Sequence, residues 1–571
     1  MNNLKILVLT VIFTLCSNYV CAQQVKAEHL SDKHTLLRVS PTQRYLLVPV
    51  EEKEEIAHVD VICNNHSVMN FNVRLAVDKV DYYVPVDLLA ISPLKSPLIF
   101  DITFHVDRHK TGSVKNFACW KELRLSDVFD TTNREQYRPV YHHTPVYGWM
   151  NDPNGMFYKD GVYHLYYQWN PYGSMWENMT WGHSTSKDLL HWEPQPTAIT
   201  PDALGTIFSG SCVVDKRNTA GFGNGAVVAY YTSAGQNQTQ SMAVSRDNGI
   251  TFDKVADNPI LVSNEPDFRD PKAFWNPEIQ KWNLVLAVGQ EMRIYSSPNL
   301  KDWTYESSFG KGYGCHEGVW ECPDMMKLQV RGTDKQKWML ICNINPGGPF
   351  GGSATQYFVG DFDGHTFVCE HQDTRWMDYG KDHYATVTFD NAPDGRRIAL
   401  AWMSNWQYGN QVPTLQYRSS NSIPRDLDLY EYEGQTYCGV TPSREMLSAR
   451  GKKVKNLTDA CELVVDVKGA TDITLLNTKG EKVTVTYDTK SKTLSMDRTQ
   501  SGKTSFSESF PCITTASVKG NVRQLRIFID RCSIEVFDAE GQVAMTNLVF
   551  PTEPYSQLKI KGGKAVIYEL K

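Results

Sequence analysis

The sequence has little continuous hydrophobicity: across 571 residues, the apolar run 6–15 near the start is the one that stands out. It is too short to span a bilayer stably, and no other stretch is apolar enough, so we expect no membrane insertion in the mature protein. Lys5 precedes this run, and the small residues of Val20-Cys21-Ala22 follow it. The pattern predicts a signal peptide over residues 1–22, cleaved near Ala22, and hence export to the periplasm or the exterior.

Cysteines are not spaced as a disulfide framework. Removing Cys16 and Cys21 with the signal peptide leaves 11 of the 13, an odd and scattered set that we interpret mostly as buried free thiols. No Cys/His cluster has zinc spacing, so the sequence predicts no metal site. Neither Cys16 nor Cys21 follows a lipobox-like stretch, which favours cleavage over lipid anchoring.

Positive charge is not in excess. The chain has 58 Lys and Arg against 64 Asp and Glu, a net charge of −6 with no long basic run, so we expect no nucleic-acid partner. Its 14 Trp and 28 Tyr suit stacking on sugar rings, although aromatic residues also fill cores. The glycine-rich stretch 345–352 lacks a following Lys-Ser/Thr, so we interpret it as a loop between strands and not as a phosphate cradle.

Residues 23–135 show alternation with period two and no long helical pattern. The runs 45–50, 58–63, 71–77 and 98–106 each place apolar residues on one face. Short strands at close spacing predict an N-terminal β-sandwich-like domain. Its role stays open between carbohydrate binding and packing on a neighbour, because fold alone does not give function.

Residues 136–430 carry a weak internal repeat. The segment SKDLLHW, ending at Trp192, is echoed by segments ending at Phe252, Trp303 and Phe367. These aromatic residues are 60, 51 and 64 positions apart. A β-rich period of this length is typical of propeller blades, and the strands before and after the repeats bring the number to about five.

Residues 431–571 begin with a turn-rich stretch, which we interpret together with 422–425 as a connector. Alternation returns from about residue 451, as in 461–467 and 525–530, and predicts a C-terminal β-sandwich. The predicted fold class is therefore all-β: a five-bladed β-propeller joined to a C-terminal β-sandwich, with an extra β-sandwich-like domain at the N-terminus.

The stretch 149–155, WMNDPNG, directly precedes a run with strand character. Pro153 fixes its own φ and biases Asp152 toward an extended backbone, and Gly155 can relieve a tight turn. Taken alone, the stretch is more typical of an ordinary turn, because every residue of Asn-Asp-Pro-Asn-Gly is a turn former. Its partners further along the chain favour a functional carboxylate on a rigid corner.

Two further carboxylates stand in similar settings. Asp270 is followed by Pro271, and Glu321 is followed by Cys322 and Pro323. At one blade per 50–65 residues, these positions and Asp152 fall on inner strands that face one funnel. Three converging carboxylates suit glycoside hydrolysis, which needs an acid for the leaving oxygen and a carboxylate for the developing oxocarbenium ion. Crowding raises the pKa of one carboxyl, which then stays protonated as the acid.

These motifs resemble glycoside hydrolase family 32, the invertase, inulinase, levanase and fructan β-fructosidase group. The matching stretches are WMNDPNG (149–155), FSGS (208–211), FRDP (268–271), WECPD (320–324), WMSNW (402–406) and DRCSIEVF (530–537). The resemblance covers about residues 140–571, so residues 23–135 are an addition to the family's usual two-domain plan.

The resemblance implies a five-bladed propeller with a β-sandwich, and hydrolysis with retention through a fructosyl-enzyme intermediate. It assigns Asp152 as nucleophile, Glu321 as general acid/base and Asp270 as transition-state stabiliser, with no metal or organic cofactor. Seven residues would form the wall of a terminal fructose pocket: Asn151, Gln168, Trp176, Phe208, Ser209, Arg269 and Trp406. For Trp176 and Trp406, an ordinary core role remains the alternative.

We therefore expect a hydrolase that removes terminal β-D-fructofuranosyl residues from levan, inulin or sucrose. An endo-acting levanase or inulinase is the alternative, which depends on whether loops close one end of the pocket. Transfructosylation differs only in the acceptor. A fructan-binding protein without activity is the non-enzyme alternative, and the intact set of three carboxylates argues against it. The choice between β-2,6 and β-2,1 linkages and the oligomeric state stay open.

Overall fold

The computed structural model describes residues 25–91, 97–110, 112–132 and 134–571. The predicted signal peptide, residues 1–22, lies outside these residues. The chain divides into two compact units, Met1–Phe129 and Asp130–Lys571. Within the described ranges, no helix is long and apolar enough to cross a membrane.

The N-terminal unit is built from short antiparallel strands in two sheets. Its elements are β1 Ala27–His29, β2 His34–Val39, β3 Tyr45–Val50, β4 Ala57–Cys63, β5 His66–Val73, β6 Tyr82–Asp87, β7 Phe100–His105 and β8 Arg124–Ser126, with a 3-10 turn at Val114–Asn116 and helix α1 at Cys119–Glu122. The sheets have the strand orders β1-β2-β7-β4-β5 and β6-β3-β8. Alternate residues such as Leu37, Val39, Ile102 and Phe104 are buried, which is the physical origin of the period-two pattern.

The predicted sandwich-like architecture of this unit is confirmed, with one local difference. The alternation predicts a strand over 71–77, but β5 ends at Val73. Leu75 instead forms a bridge to Val50 of the other sheet. The apolar periodicity therefore continues past the end of the strand, because the chain stays extended while it changes partner.

The second unit begins with a propeller of five sheets. Its strands are β9 Gly148–Lys159, β10 Val162–Asn170, β11 Thr180–Ser186, β12 Glu193–Ile199, β13 Thr206–Asp215, β14 Ala226–Ala234, β15 Gln238–Ser245, β16 Asp253–Lys254, β17 Phe268–Asn276, β18 Lys281–Val288, β19 Glu291–Ser297, β20 Thr304–Phe309, β21 Val319–Gln329, β22 Gln336–Asn345, β23 Ala354–Phe362, β24 Phe367–Cys369, β25 Tyr384–Thr388, β26 Ile398–Trp402, β27 Tyr417–Arg418, β28 Arg425–Tyr432 and β29 Gln435–Pro442. Short 3-10 turns lie at Pro393–Gly395, Gly409–Gln411 and Arg444–Leu447. The sheets are β9 to β12, β13 to β16, β17 to β20, β21 to β24, and β25-β26-β28-β29. The short strand β27 pairs in parallel with β9 and so joins the last blade to the first.

The internal repeat of the sequence has a simple structural basis. Its aromatic residues Trp192, Phe252, Trp303 and Phe367 lie at or just before the fourth strand of the first four blades. The preceding polar residues form the turn after the third strand, as Asp188 does by accepting from the backbone N–H groups of Leu190 and His191. The repeat is therefore a hairpin motif, and it confirms the blade count.

The interpretation of residues 422–425 and of the turn-rich stretch from residue 431 as a connector is wrong. Strands β28 and β29 pair over their whole length and form the outer half of the fifth blade. The error arises because this hairpin is turn-rich and polar on its exposed face, so the sequence shows a loop composition where the structure has paired strands.

The C-terminal sandwich contains β30 Arg450–Val454, β31 Cys461–Leu476, β32 Lys482–Asp488, β33 Thr493–Gln500, β34 Ile513–Ser517, β35 Gln524–Asp530, β36 Ser533–Asp538, β37 Ala544–Leu548 and β38 Gln557–Leu570. The long strand β31 pairs with β35 through 461–466 and with β32 through 471–476. A register shift between Val467 and Asp472 lets β31 and β38 contribute to both halves. This confirms the predicted β-sandwich and completes the predicted all-β fold.

Buried charges join the propeller to this sandwich. The two ring nitrogens of His142 lie 2.8 Å from Asp530 Oδ2 and 2.8 Å from Glu535 Oε1. Arg425 donates to Glu535 Oε2 (2.6 Å) and to Asp378 Oδ2 (2.7 Å). Because each charge has an opposite partner, removing one member of the junction would leave another buried charge uncompensated.

The cysteines agree with the sequence interpretation. All 11 in the described part of the chain are free, and nine of them are buried. Cys315 and Cys512 are half-buried.

Candidate active site

Each of the five inner strands of the propeller has a β-bulge at the same level. Two residues of the inner strand stand opposite a single residue of the second strand, at positions 151–152, 208–209, 270–271, 322–323 and 385–386. A bulge bends its strand and re-aims the side chains on it. Two of these bulges contain a proline, Pro271 and Pro323, which a bulge tolerates because the ladder is interrupted there, and Pro153 directly follows the bulge of the first blade. The ring of bulges turns polar side chains into the central funnel.

In the third, fourth and fifth blades, the first bulge residue has a left-handed backbone. The φ angles are 67° at Asp270, 42° at Cys322 and 55° at Ala385. Each conformation costs roughly 1 kcal/mol or more for a residue other than glycine. Such strain persists only where the surrounding structure imposes it, which marks these positions as candidate functional sites.

Asp152 lies on β9 and is surrounded by hydrogen-bond donors. Its Oδ1 accepts from Asn151 Nδ2 (2.8 Å), and its Oδ2 accepts from Ser209 Oγ (2.7 Å) and from Cys322 Sγ (3.3 Å). Asn151 is held in turn by the indole N–H of Trp149 (2.7 Å). Three donors aimed at one carboxylate fix its orientation.

Asp270 lies on β17 and is almost fully buried, with 5% of its surface exposed. Its Oδ2 accepts from the backbone N–H of Cys322 (2.8 Å). Its own backbone N–H donates to Thr232 Oγ1 (3.0 Å) on the neighbouring blade. Burial raises the pKa of Asp270 to about 7, against the lowering effect of Arg269 and with further raising by Glu321 and Asp152.

Glu321 lies on β21, directly before the bulge. Its Oε1 accepts from Arg269 Nε (3.1 Å) and Nη2 (2.9 Å), and its Oε2 accepts a short hydrogen bond from the Tyr384 hydroxyl. Burial raises the pKa of Glu321, although Arg269 and Tyr384 lower it. The negative charge of Asp152 raises the pKa of Glu321 further. Repulsion between neighbouring carboxylates therefore favours a state in which they share one proton.

Arg269 ties several of these groups together. Besides Glu321, its guanidinium donates to Asp267 Oδ1 (2.6 Å) and Gln238 Oε1 (3.2 Å). The ionised partners keep its own pKa above the ordinary range. Arg269 is therefore a fixed cation beside the carboxylates.

Aromatic residues line one side of the predicted pocket. The ring of Trp406 stacks on Trp149 with centroids 5.8 Å apart. Trp176 meets Trp406 edge-on at 6.5 Å and Phe208 at 6.0 Å. Trp176 is 38% exposed, so it is not an ordinary core residue, whereas Trp149 is fully buried beneath Trp406.

Gln168 differs from the other residues predicted to form the pocket wall, because it is buried on the second strand of its blade. It lies on the second strand, β10, opposite the bulge of Asn151 and Asp152, and only 2% of it is exposed. Its side-chain nitrogen donates to Asn154 Oδ1 (2.7 Å), two residues beyond Asp152 on β9. In this conformation Gln168 supports the strand that carries Asp152.

The structure adds residues that sequence analysis did not single out. Tyr384 contacts Glu321 from the fifth blade, and Cys322 contacts both Asp152 and Asp270, the latter with Sγ at 3.6 Å. Asp267 and Gln238 hold Arg269. Cys322 could have been predicted from the sequence, because it lies between Glu321 and Pro323 in the third carboxylate motif. Tyr384 could not, because no motif surrounds it.

Comparison with known families agrees with this architecture. Residues 142–439 match the glycosyl hydrolases family 32 N-terminal domain, and residues 436–570 match the family 32 C-terminal domain. Residues 31–141 match a domain of unknown function (DUF4980). The N-terminal strands therefore match a separate family model, in agreement with the prediction that residues 23–135 are an addition to the two-domain plan of family 32.

Similar proteins extend over most of the second unit. A levanase of Bacillus subtilis is 45% identical over 462 residues, covering 75% of this chain and 68% of that protein. An extracellular exo-inulinase of Aspergillus niger is 36% identical, covering 77% of this chain and 95% of that protein. The solved exo-inulinase of Aspergillus awamori superimposes with a TM-score of 0.72 at 32% identity, covering 78% of this chain and 99% of that one. A fructofuranosidase of Schwanniomyces occidentalis complexed with fructose gives 0.70 at 34% identity, covering 77% and 99%.

The two family models together cover residues 142–570, the propeller and the sandwich. These matches confirm the resemblance drawn from the carboxylate motifs. The chain belongs to glycosyl hydrolases family 32 and is a glycoside hydrolase.

Proposed function

We propose that this enzyme is a retaining β-fructosidase that releases terminal fructose from fructans and sucrose. The observation that carries the proposal is the contrast between two carboxyl groups. Asp152 accepts three hydrogen bonds, which hold its carboxylate in the fixed orientation that a nucleophile needs. Glu321 is largely enclosed, with 20% of its side chain exposed, and desolvation raises its pKa, which suits an acid that is protonated when the substrate arrives.

The reaction takes place in two steps. In the first, Asp152 attacks the anomeric carbon of fructose while Glu321 donates its proton to the leaving glycosidic oxygen, so a fructosyl-enzyme ester forms and the aglycone departs. In the second, Glu321 takes a proton from water, the water oxygen attacks the same carbon, and the Asp152 carboxylate is released. Two displacements on one carbon retain the configuration.

The role of Asp270 is to bind the hydroxyls of the fructosyl unit while charge develops on the ring. Its position, fixed by the backbone N–H of Cys322 and by Thr232, supports that role because a preorganised acceptor needs no rearrangement in the transition state. Arg269 fixes the orientation of Glu321 and Asp267 through its hydrogen bonds to both carboxyl groups. Asn151, Ser209 and the aromatic residues Trp176, Phe208 and Trp406 form the remainder of the pocket wall.

The substrate class rests on the relatives. They are named levanase, exo-inulinase, invertase and fructofuranosidase, so β-fructosides are the shared substrates. Exo action is favoured because two of the compared proteins are named exo-inulinases and because Trp176, Phe208 and Trp406 cluster on one side of the pocket. The relatives named extracellular support export, which the predicted signal peptide would direct.

The test is product analysis on levan, inulin and sucrose. The parent enzyme is compared with Asp152→Ala and Glu321→Ala, and with Asp363→Ala, an exposed aspartate in a blade turn, as the matched control. Free fructose as the single product, lost in both site variants and kept in the control, is the expected result. A ladder of oligosaccharides from the parent would instead establish endo action.

Retention is tested by adding methanol as the acceptor. A retaining enzyme transfers fructose from sucrose to methanol and forms methyl β-fructofuranoside, because the ester intermediate exposes the same face to either acceptor. Formation of the α-anomer would refute retention. Absence of any product from the parent on all three substrates would favour the binding-protein alternative.

A further inference from the structure

The N-terminal unit carries three histidines in one row across adjacent strands. His34 of β2 is paired with His105 of β7, and His105 is paired with His58 of β4. All three side chains are partly exposed, at 39%, 28% and 48%. Side chains directly opposite each other on neighbouring strands have Cβ atoms about 5 Å apart, so the imidazoles form a continuous polar row.

Two carboxylates complete the row. His34 Nε2 lies 3.2 Å from Asp107 Oδ1. His105 Nε2 lies 3.0 Å from Asp60 Oδ2, and His58 Nε2 lies 3.3 Å from Asp60 Oδ1. Ligand atoms of His34, His105 and Asp107 all lie within 4.8 Å of one another.

This arrangement has the parts of a metal site. Ligands around a tetrahedral zinc ion at about 2.0–2.1 Å lie roughly 3.4 Å from each other. The partly exposed side chains of His34, His105 and Asp107 reach that spacing by small rotations, while the paired strands beneath them stay fixed. Asp60 holds Nε2 of His105 and leaves Nδ1 for the ion, which is the usual way in which a carboxylate orients a metal-ligating histidine.

We propose that His34, His105 and Asp107 bind one divalent transition-metal ion, with Asp60 and His58 as the supporting groups. Two imidazoles and one carboxylate suit zinc, copper or nickel. They do not suit magnesium or calcium, which take oxygen ligands. Three protein ligands leave an open coordination position at the surface of the sheet.

Other histidine–carboxylate contacts in the chain do not offer the same set. His191 with Asp188 and His365 with Glu306 are single exposed pairs. Among the residues that the structure describes, His34, His105 and Asp107 form the one group of three suitable ligands within binding distance. The sequence predicts no metal site because His34 and His105 are 71 positions apart and are brought together only by the pairing of their strands.

The test is titration of the full chain with ZnCl₂ by calorimetry, beside NiCl₂ and MgCl₂. We expect one zinc ion per chain, no comparable uptake of magnesium, and loss of this site in His105→Gln and in His34→Gln. Asp60→Asn is expected to weaken binding by roughly 10-fold or more, since it removes the group that orients His105. His66→Gln changes an exposed histidine in the same unit and should leave binding unchanged.

A second readout identifies the ligands directly. The electron paramagnetic resonance spectrum of bound Cu²⁺ should show two coordinated nitrogens in the parent and fewer in His105→Gln. All substituted residues are at least partly exposed, so thermal unfolding of each variant should match that of the parent. Failure to saturate below about 1 mM zinc, equal affinity for magnesium, or unchanged binding in His105→Gln would each overturn the proposal.

Discussion

The backbone N–H of Cys322 donates to the carboxylate of Asp270 at 2.8 Å, which links the bulges of two neighbouring blades. Cys322 follows Glu321 directly, so the position of the proposed acid depends on the proposed stabiliser. Because this bond is made by the backbone, it constrains Glu321 whatever side chain occupies position 322. The two carboxyl groups are coupled in geometry as well as in charge.

The pH dependence of activity should follow from this coupling. Burial raises the pKa of Asp270 to about 7 and also raises that of Glu321, so the site loses its proton as the pH rises through that range. The proposed acid Glu321 must be protonated, and because burial raises its pKa, kcat/KM is expected to fall on the alkaline side at a pH above the ordinary range of a glutamate. Initial rates on sucrose from about pH 4 to pH 9 measure this fall, which is the alkaline limb of the pH profile of kcat/KM.

Asp270→Asn provides the corresponding variant. It removes one negative charge from the coupled carboxyl groups, so Glu321 ionises more easily and the alkaline limb moves to lower pH. It also removes a preorganised acceptor, with an expected loss in kcat of about 10²–10³. A limb that moves to higher pH would contradict the coupling.

Tyr384→Phe should move the alkaline limb of kcat/KM to higher pH, opposite to the effect of Asp270→Asn. The Tyr384 hydroxyl donates to Glu321, and this bond stabilises the ionised carboxylate and lowers its pKa. Without it, the pKa of Glu321 rises, and the limb of kcat/KM is expected to shift up by roughly one pH unit.

The matched control for this change is Tyr230→Phe. Tyr230 of the second blade is also buried, but its hydroxyl donates to the backbone carbonyl of Leu300 in the third blade. Its pH profile should equal that of the parent. If both variants shift equally, the effect comes from general loosening of the propeller and not from the contact with Glu321.

Trp176→Ala should weaken substrate binding more than it slows chemistry. Trp176 is exposed at the aromatic side of the pocket and contacts Phe208 and Trp406 edge-on. Loss of the indole surface is expected to raise KM about 10-fold with little change in kcat. Steady-state rates on inulin and sucrose separate the two parameters. Tyr305→Ala, which removes an exposed aromatic ring from an outer strand, should change neither.

His142→Gln tests the buried junction between the propeller and the sandwich. Although burial opposes a charge on His142, Asp530 and Glu535 raise its pKa to about 9. A raised pKa gives stability that is complete below the unfolded value of about 6.5 and is lost as the pH rises through about 9. The parent is therefore expected to lose about 3 kcal/mol of stability from this group over that interval.

In His142→Gln, that part of the pH dependence should disappear, and the variant should be less stable than the parent at about pH 6. Urea unfolding midpoints at about pH 6 and pH 9 measure both effects. His191→Gln is the control, because His191 is exposed and pairs only with Asp188 on the surface. An equal slope with pH in the parent and in His142→Gln would show that His142 does not carry the charge.

Local patterns in the sequence were sufficient for the class of fold. Alternation reflects strands with one buried face, and the turn chemistry around Asp188 recurs once per blade, so both could be predicted without a structure. The error about the connector shows the limit of this approach. The hairpin of β28 and β29 is joined to the fifth blade by the pairing of β28 with β26, and local composition carries no information about that partner.

Some residues of the candidate site could likewise be predicted from the sequence, whereas others could be found only in the structure. Asp152 and Asp270 could be found because a following proline marks a bulge, and Glu321 because Pro323 stands in the next bulge. The sequence by itself therefore determined the strand pattern, the family and the three carboxylates. The tertiary structure alone decided the contact of Tyr384 with Glu321, the bond from Cys322 to Asp270 and the row of His34, His105 and His58. These contacts join strands that are distant in sequence, and their geometry is set by closure of the propeller and by strand register, which no local pattern encodes.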